Sequence, residues 1–219
     1  MPRFIRDNSL SLAFLGLFLG SWLVMSVAGL FTENMERDEH GQPPIGYVEY
    51  VTGPHFWQAT LENFQSEFLQ MGTFVWFTTF LYQRGSPESR KLSGDETAKD
   101  PRRNRKPGSP WPVHRGGIVL MIYERSLTIA LFILFVLSWF GHAVTGTALY
   151  NQEQAMHGGE QIGVLQFVAT SDFWFETMQN WQSEWLAVFT LVVLAIYLRQ
   201  RGSSESKPVF APDSKTGQG

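Results

Sequence analysis

Four apolar runs alternate with polar segments along the chain and determine its predicted elements. They cover residues 9–31, 68–82, 126–149 and 185–198. The first and third contain no Asp, Glu, Lys or Arg, and each is at least as long as the roughly 20 helical residues that cross about 30 Å of hydrocarbon. Because a backbone within lipid must satisfy its own hydrogen bonds, we predict that these runs are helices.

The second and fourth runs are shorter, so a complete span must include the polar residues before them. Counting about 20 residues back from the arginine that follows each run gives spans over about 62–82 and 179–198. We therefore predict an all-α membrane protein with four transmembrane helices. Soluble core helices are the alternative, but they would leave the first and third runs apolar on all sides with little to cover them.

The basic residues predict the orientation of these spans. Of the 17 Lys and Arg, only Arg37 lies in the loop after the first span or the loop after the third. Basic loops stay on the cytoplasmic side, so we expect both termini and the central loop inside and the other two loops outside. The chain is therefore predicted to be a multi-pass membrane protein.

The chain also repeats itself. Residues 7–90 align without a gap on residues 124–207, a shift of 117 positions. Each copy is a helical hairpin, and two spans per copy make the repeats parallel, with a pseudo-two-fold axis along the membrane normal. We expect a four-helix bundle around that axis. The predicted domains are a first hairpin repeat over 1–86, a flexible basic cytoplasmic linker over 87–122, a second hairpin repeat over 123–203 and a disordered cytoplasmic tail over 204–219.

One polar phrase occurs in both copies, at residues 63–69 and 180–186. On a helix, its Asn and Glu and the Thr three residues before the Asn have the spacing i, i+3, i+7 and form one stripe. Facing carboxylates at the outer mouth of the bundle would hold a proton or cation between them. The alternatives are hydrogen bonding between helices or contact with lipid headgroups. The stripe residues are Thr60, Asn63, Glu67, Thr177, Asn180 and Glu184.

Histidines provide two further candidates. His142 lies inside the third span, where an ionisable group is either functional or a hydrogen-bond donor to another helix. A Glu followed four residues later by His occurs once in each predicted outer loop, and two such pairs can bind Zn²⁺ or another divalent ion. A helix end closed by Gly is the structural alternative. The candidate metal ligands are Glu36, His40, Glu153 and His157.

Partners are expected to be lipids and membrane proteins. The basic linker can attract anionic headgroups, and the pairs Phe56-Trp57 and Phe173-Trp174 are expected to anchor at the interface. Gly16-x3-Gly20 permits close helix approach, either within the bundle or in a homodimer. No aromatic residue is interleaved with the basic cluster at residues 102–106, so nucleic-acid binding is not expected.

Several motifs together resemble a known family. They are the repeated Asn-x-Gln-Ser-Glu phrase, the loop Glu39-His40-Gly41-Gln42-Pro43-Pro44 and the ending Phe80-Leu81-Tyr82-Gln83-Arg84-Gly85-Ser86. They resemble a bacterial integral-membrane family of unknown function, and the resemblance implies a location in the bacterial inner (plasma) membrane. The resemblance covers most of the chain outside the linker and tail, and it implies no activity or site residues.

Two functions remain open from the sequence. The first is a structural or accessory membrane protein that organises helices or a partner at the outer face. The second is a small proton- or cation-linked transporter or channel that uses Glu67 and Glu184. An enzyme is not favoured, because no Cys is present and no catalytic constellation or phosphate-binding Gly loop appears. We expect no cofactor.

Overall fold

A computed structural model describes residues 2–92 and 99–217 of the 219-residue chain. These residues form helices and connecting turns without any strand, so the all-helical prediction is confirmed for them. The helices in chain order are α1 (Arg3–Asp7), α2 (Ser9–Glu39), α3 (Tyr47–Thr52), α4 (Pro54–Phe77), α5 (Trp111–Arg115), α6 (Gly117–Glu124), α7 (Ser126–His157), α8 (Val164–Phe167) and α9 (Ser171–Tyr197).

Among the described helices, α2 and α7 are long and apolar enough to cross a membrane. Only 6% of the most apolar window of α2 and 22% of that of α7 are buried within the protein. A core helix of a soluble protein would bury most of such a window. These two helices instead expose apolar surface of the kind that contacts lipid or another protein. α4 and α9 have 24 and 27 residues, which is about 36 and 40 Å of helix, but neither contains an 18-residue stretch as apolar as those of α2 and α7.

The helix ends follow from local sequence. α2 is followed by Gly41 and α7 by Gly158, with φ angles of +66° and +70°. The backbone N–H of Gln42 bonds the Arg37 carbonyl at 2.8 Å, and that of Gly159 bonds the Gln154 carbonyl at 2.8 Å. This is the Schellman arrangement, in which a left-handed Gly lets the chain turn back onto the last carbonyls.

The loops after these two helices are held by one repeated contact. The Asn34 side-chain amide donates to the Ile45 carbonyl at 3.1 Å, while the Ile45 N–H donates to Asn34 Oδ1 at 2.7 Å. Asn151 makes the same pair of bonds with Ile162, at 2.9 and 2.8 Å. Each amide therefore satisfies both backbone groups of one loop residue, 11 positions away.

The chain divides into two compact units. Unit 1 comprises Met1–Leu61 and Phe140–Phe173, and its core is aromatic. Phe56 packs against Tyr50 with ring centroids 5.8 Å apart, and Phe173 packs against Phe167 at 5.6 Å. Both Phe56 and Phe173 are buried, whereas Trp57 and Trp174 are exposed. Of the expected interfacial anchors, the two phenylalanines are therefore core residues.

Unit 2 comprises Glu62–Trp139 and Trp174–Gly219. Its buried apolar residues include Leu120, Leu131 and Ile196. Gly72 of α4 brings the backbone close to α7, because a Cβ at this position would lie 3.3 Å from Leu131 Cβ.

Short helices lie in the region of the predicted linker, and side-chain bonds lie in the predicted tail. α5 lies within the predicted linker and α6 begins within it; residues 93–98 of the linker are outside the described part of the chain. In the described tail, the ammonium of Lys207 donates to the Asp213 carbonyl at 2.8 Å, and the Asp213 carboxylate pairs with Arg199 at 2.7 Å. These bonds connect Lys207 with Asp213 inside the tail, and Asp213 with Arg199 just after α9.

Candidate functional site

A buried carboxylate in α4 is the centre of the polar contacts between α4 and α9. Glu62 is 8% exposed. The Asn180 side-chain amide donates to Glu62 Oε1 at 2.5 Å, and the Gln179 side-chain amide donates to the same oxygen at 3.3 Å. Two amides from one turn of α9 therefore hold one carboxylate of α4.

A second carboxylate lies beside Glu62. An oxygen of Glu176 is within 4.8 Å of an oxygen of Glu62, and the backbone carbonyl of Glu176 accepts a further bond from the Asn180 amide at 3.0 Å. Two carboxylates at this separation repel each other when both are ionised. The pair can therefore bind a proton, and the two amides fix the orientation of the Glu62 carboxylate.

The acids of the repeated phrase also come near each other. Glu67 of α4 and Glu184 of α9 are close enough for their charges to interact, with Glu67 exposed and Glu184 half-buried. The structure thus brings together the two carboxylates that the sequence proposed as a pair. Neither is as deeply buried as Glu62.

The remaining residues of the predicted stripe have mixed environments. Thr60 is 2% exposed and its Oγ1 accepts a bond from Trp22 Nε1 at 3.3 Å. Thr177 is fully buried, whereas Asn63 is exposed. The stripe predicted on α4 therefore does not lie on one buried face.

The Glu/His candidates line one cavity in unit 1, at the ends of α2 and α7. This Glu/His cavity has a volume of about 690 Å³. The rings of His40 and His157 meet edge to face with centroids 5.6 Å apart. Four lining residues are the candidate metal ligands predicted from the sequence: Glu36, His40, Glu153 and His157.

The hydrogen bonding of His40 indicates its tautomer. Its Nδ1 lies 2.8 Å from the backbone carbonyl of Glu36. A carbonyl only accepts, so Nδ1 carries the proton and Nε2 keeps its lone pair when the ring is neutral. A neutral imidazole in this form can bind a metal ion or a proton through Nε2.

Glu33 connects the Glu/His cavity to the aromatic core of unit 1. Its carboxylate lies 2.7 Å from His55 Nδ1 and 3.8 Å from an Arg37 guanidinium nitrogen. Burial of the Tyr50 hydroxyl, together with the nearby charge of Glu33, raises the pKa of Tyr50 above its usual range. Tyr50 therefore stays neutral at physiological pH.

His142 is fully buried in unit 1 and stacks on Phe173, with ring centroids 5.0 Å apart and planes 22° apart. The flat stacking fixes the ring plane. Its position is that of a core residue with a polar edge.

A further carboxyl pair lies outside the predicted spans, in unit 2. Glu88 and Glu205 hydrogen-bond through their side chains. Burial and the adjacent Glu205 raise the pKa of Glu88 to about 7. A carboxyl with this pKa is partly protonated at neutral pH, which lets it donate to its partner.

Sequence reasoning missed Glu62, Glu176, Glu88 and Glu205. A signal for the last two was present, because both copies continue as Gln-Arg-Gly-Ser-x-Glu-Ser with the acids 117 positions apart. Glu62 had a weaker signal, since its equivalent in the second copy is Gln179. These two equivalent positions contact each other directly.

No curated protein and no solved structure matches the chain. One family does match, over residues 1–218, and its description is Domain of unknown function (DUF6766). A match over nearly the whole length means that this chain belongs to the DUF6766 family.

Proposed function

We propose that this protein is a four-span membrane protein of the bacterial inner membrane, built from a duplicated helical hairpin, with a structural or accessory role. Both termini and the basic linker are cytoplasmic in this proposal, and the Glu/His cavity faces outward. Its spans are α2, α7 and the apolar parts of α4 and α9.

Exposed apolar side chains on α9 support four spans rather than two. Leu186 and Phe189 are 64% and 63% exposed, and Met71 and Trp76 of α4 are also exposed. Large apolar side chains in water cost free energy roughly in proportion to their area, at about 25 cal/mol per Å². A lipid environment removes that cost for α4 and α9 as it does for α2 and α7.

Pairs of equivalent positions support the duplication. The rings of His40 and His157 touch in unit 1, and the Gln179 amide binds Glu62 in unit 2. Contacts between residues at equivalent positions are expected near a two-fold axis. Duplication also accounts for the matching pairs of hydrogen bonds that Asn34 makes with Ile45 and Asn151 makes with Ile162.

One observation carries the structural role: the Glu62 carboxylate is held by two amides of α9. Between helices in lipid, polar side chains act as attachment points, worth about 0.6 to 2 kcal/mol for each hydrogen bond. A carboxylate oxygen that accepts two hydrogen bonds from one neighbouring helix fits helix attachment.

Two substitutions at Glu62 test this role. Glu62→Gln keeps an oxygen acceptor for Asn180 and is expected to preserve thermal stability in detergent. Glu62→Leu removes the acceptor and leaves the amides unsatisfied, which we expect to cost about 1 to 3 kcal/mol. The control is Met178→Leu, an exposed position of α9. Equal melting temperatures for Glu62→Leu and wild type would contradict the structural role.

Proton- or cation-linked transport is the second candidate, favoured by the interaction between Glu67 and Glu184. A flux assay in proteoliposomes separates the two functions. Transport predicts a proton or cation flux above that of empty liposomes, lost in the double variant Glu67→Gln, Glu184→Gln. A structural role predicts no such flux and unchanged assembly of the double variant.

A divalent-cation site in the Glu/His cavity would belong to this second candidate. The contact of His40 with His157 favours it, because two imidazoles can enter one coordination sphere. Isothermal titration of purified protein with Zn²⁺ should show one site that His40→Ala and His157→Ala each weaken at least tenfold. A Zn²⁺ affinity equal to that of wild type in both variants would exclude these two histidines as ligands.

A further inference from the structure

Two adjoining cavities of unit 2 follow the start of α7. The first has a volume of about 710 Å³ and is lined by Glu124, Arg125, Thr128 and Trp76, among others. The second, of about 420 Å³, continues along α7 to Leu137 and has no charged lining residue. Thr128, Ile129 and Phe132 line both cavities. The surface is therefore one groove with a charged mouth and an apolar extension, referred to here as the α7 groove.

The mouth of the α7 groove carries one charge of each sign. The Arg125 and Glu124 side chains are 62% and 37% exposed, with 3.8 Å between a guanidinium nitrogen and a carboxylate oxygen. Arg125 also donates to the Met121 carbonyl at 3.1 Å, which directs its guanidinium. A guanidinium binds a phosphate through parallel N–H donors, and a carboxylate accepts from an ammonium. The pair is complementary to a head that contains both groups.

The apolar part of the groove selects an amphiphile. From Thr128 to Leu137 the helix rises about 14 Å, along Ile133, Val136 and Leu137. Trp76 lies at the wide end and meets the Phe132 ring edge to face at 6.4 Å. Tryptophan is typical of the headgroup level of a membrane. In the proposed topology, the charged mouth is at the cytoplasmic surface and the extension is in the hydrocarbon.

We propose that the α7 groove binds one phosphatidylethanolamine molecule, with the phosphate on Arg125, the primary ammonium on Glu124 and an acyl chain along α7. This inference rests on the proposed membrane topology. The ammonium of this lipid has N–H donors for a carboxylate, whereas the quaternary head of phosphatidylcholine has none. Phosphatidylglycerol has no cation for Glu124.

The duplication provides an internal comparison. The position equivalent to Arg125 is Asn8, and the position equivalent to Trp76 is Val193. The surface equivalent to the α7 groove, with Asn8 and Val193 at these two positions, thus lacks both the Arg125 guanidinium and the Trp76 indole. One site per chain is expected.

Native mass spectrometry of the full chain in detergent tests the proposal by titration with three lipids of identical acyl chains. Phosphatidylethanolamine should form a single adduct at about tenfold lower concentration than phosphatidylcholine or phosphatidylglycerol. Glu124→Gln should reduce the affinity for phosphatidylethanolamine to that for phosphatidylcholine, while Arg125→Gln should weaken both. Val136→Trp, which fills the apolar extension, should weaken all three lipids.

Arg115→Gln is the matched control, because this arginine lies over the Trp111 ring and does not line the groove. It should bind like wild type. Phosphoethanolamine without acyl chains should not compete at concentrations that saturate the lipid site. Equal affinity for phosphatidylethanolamine and phosphatidylcholine would overturn the proposal, as would a preference for phosphatidylglycerol that persists in Glu124→Gln. Either result, in a chain shown independently to cross the membrane four times, would reject the α7 groove and leave the topology intact.

Discussion

At the residue scale, the same side chains perform the same task at equivalent positions. Asn34 and Asn151 each bond both backbone groups of a loop isoleucine. Asn is suited to this task because its side chain combines a donor and an acceptor with the geometry of a peptide group. The contact depends on both groups, so it is sensitive to a change of a single atom.

We predict that Asn34→Asp loses the donor bond and Asn34→Leu loses both bonds. At about 1 kcal/mol for each bond, Leu should destabilise the protein more than Asp does. Thermal unfolding in detergent measures the difference, with the same substitutions at Asn151 as the matched series. An Asn34→Leu protein as stable as wild type would show that the loop does not depend on this contact.

Glu88 predicts a pH dependence. Its pKa in the folded protein, about 7, lies above the ordinary value of 4.5. The folded state therefore binds the proton more tightly than the unfolded chain does. The stabilisation that results is fully present below pH 4.5 and is lost as pH rises through about 7.

The measurement is the melting temperature of wild type and Glu88→Gln between about pH 5 and pH 8. Wild type should lose stability across this range relative to Glu88→Gln, which carries no ionisable group at the position. Glu160→Gln, at an exposed site, should keep the wild-type slope. Parallel curves for wild type and Glu88→Gln would contradict the prediction.

At the scale of the helices, nearby residues determine how α2 and α7 end, whereas the apolar runs alone do not determine how long these helices are. Gly41 and Gly158 stop α2 and α7 through a left-handed residue and a bond back to the last turn. Both helices nevertheless extend about eight residues beyond the apolar runs that predicted them. Tertiary contacts at the loops explain this extension, since Asn34 and Asn151 lie in the added turns.

Gly158→Ala should destabilise the protein by about 1 to 2 kcal/mol, because an L residue is strained at φ +70°. Gly108→Ala is the control, since the φ of Gly108 is not positive and no atom lies within 4 Å of a Cβ placed there. It should be neutral or slightly stabilising. Chemical denaturation of both variants checks the difference, and equal losses would argue against the left-handed cap as the cause.

At the scale of the whole molecule, the number of membrane crossings decides which surfaces meet the cytoplasm. Two spans, α2 and α7, would place the basic linker outside and the loop after α7 inside. Four spans reverse both assignments. The positive-inside rule favours four, because ten of the 17 basic residues lie between residues 84 and 125.

The absence of Cys makes this testable by single-cysteine labelling of intact cells. With four spans, Gln161→Cys should react with a membrane-impermeant maleimide, and Ser109→Cys should react only after the membrane is opened. Two spans predict the opposite pattern. Ser204→Cys in the tail is the control, because it is expected inside in both topologies.

The sequence determined the two long apolar helices, their glycine ends and the doubling of motifs, because these depend on residues a few positions apart or on identity at a fixed shift. It also suggested Glu67 and Glu184 as a pair, and their charges interact in the structure. The partner of Asn180 was decided only by the tertiary structure. Successive residues of a helix point about 100° apart, so Glu62 can be buried against α9 while Asn63, the next residue, is exposed. Composition and spacing cannot determine the rotation of one helix against another, and that rotation selects which carboxylates are enclosed.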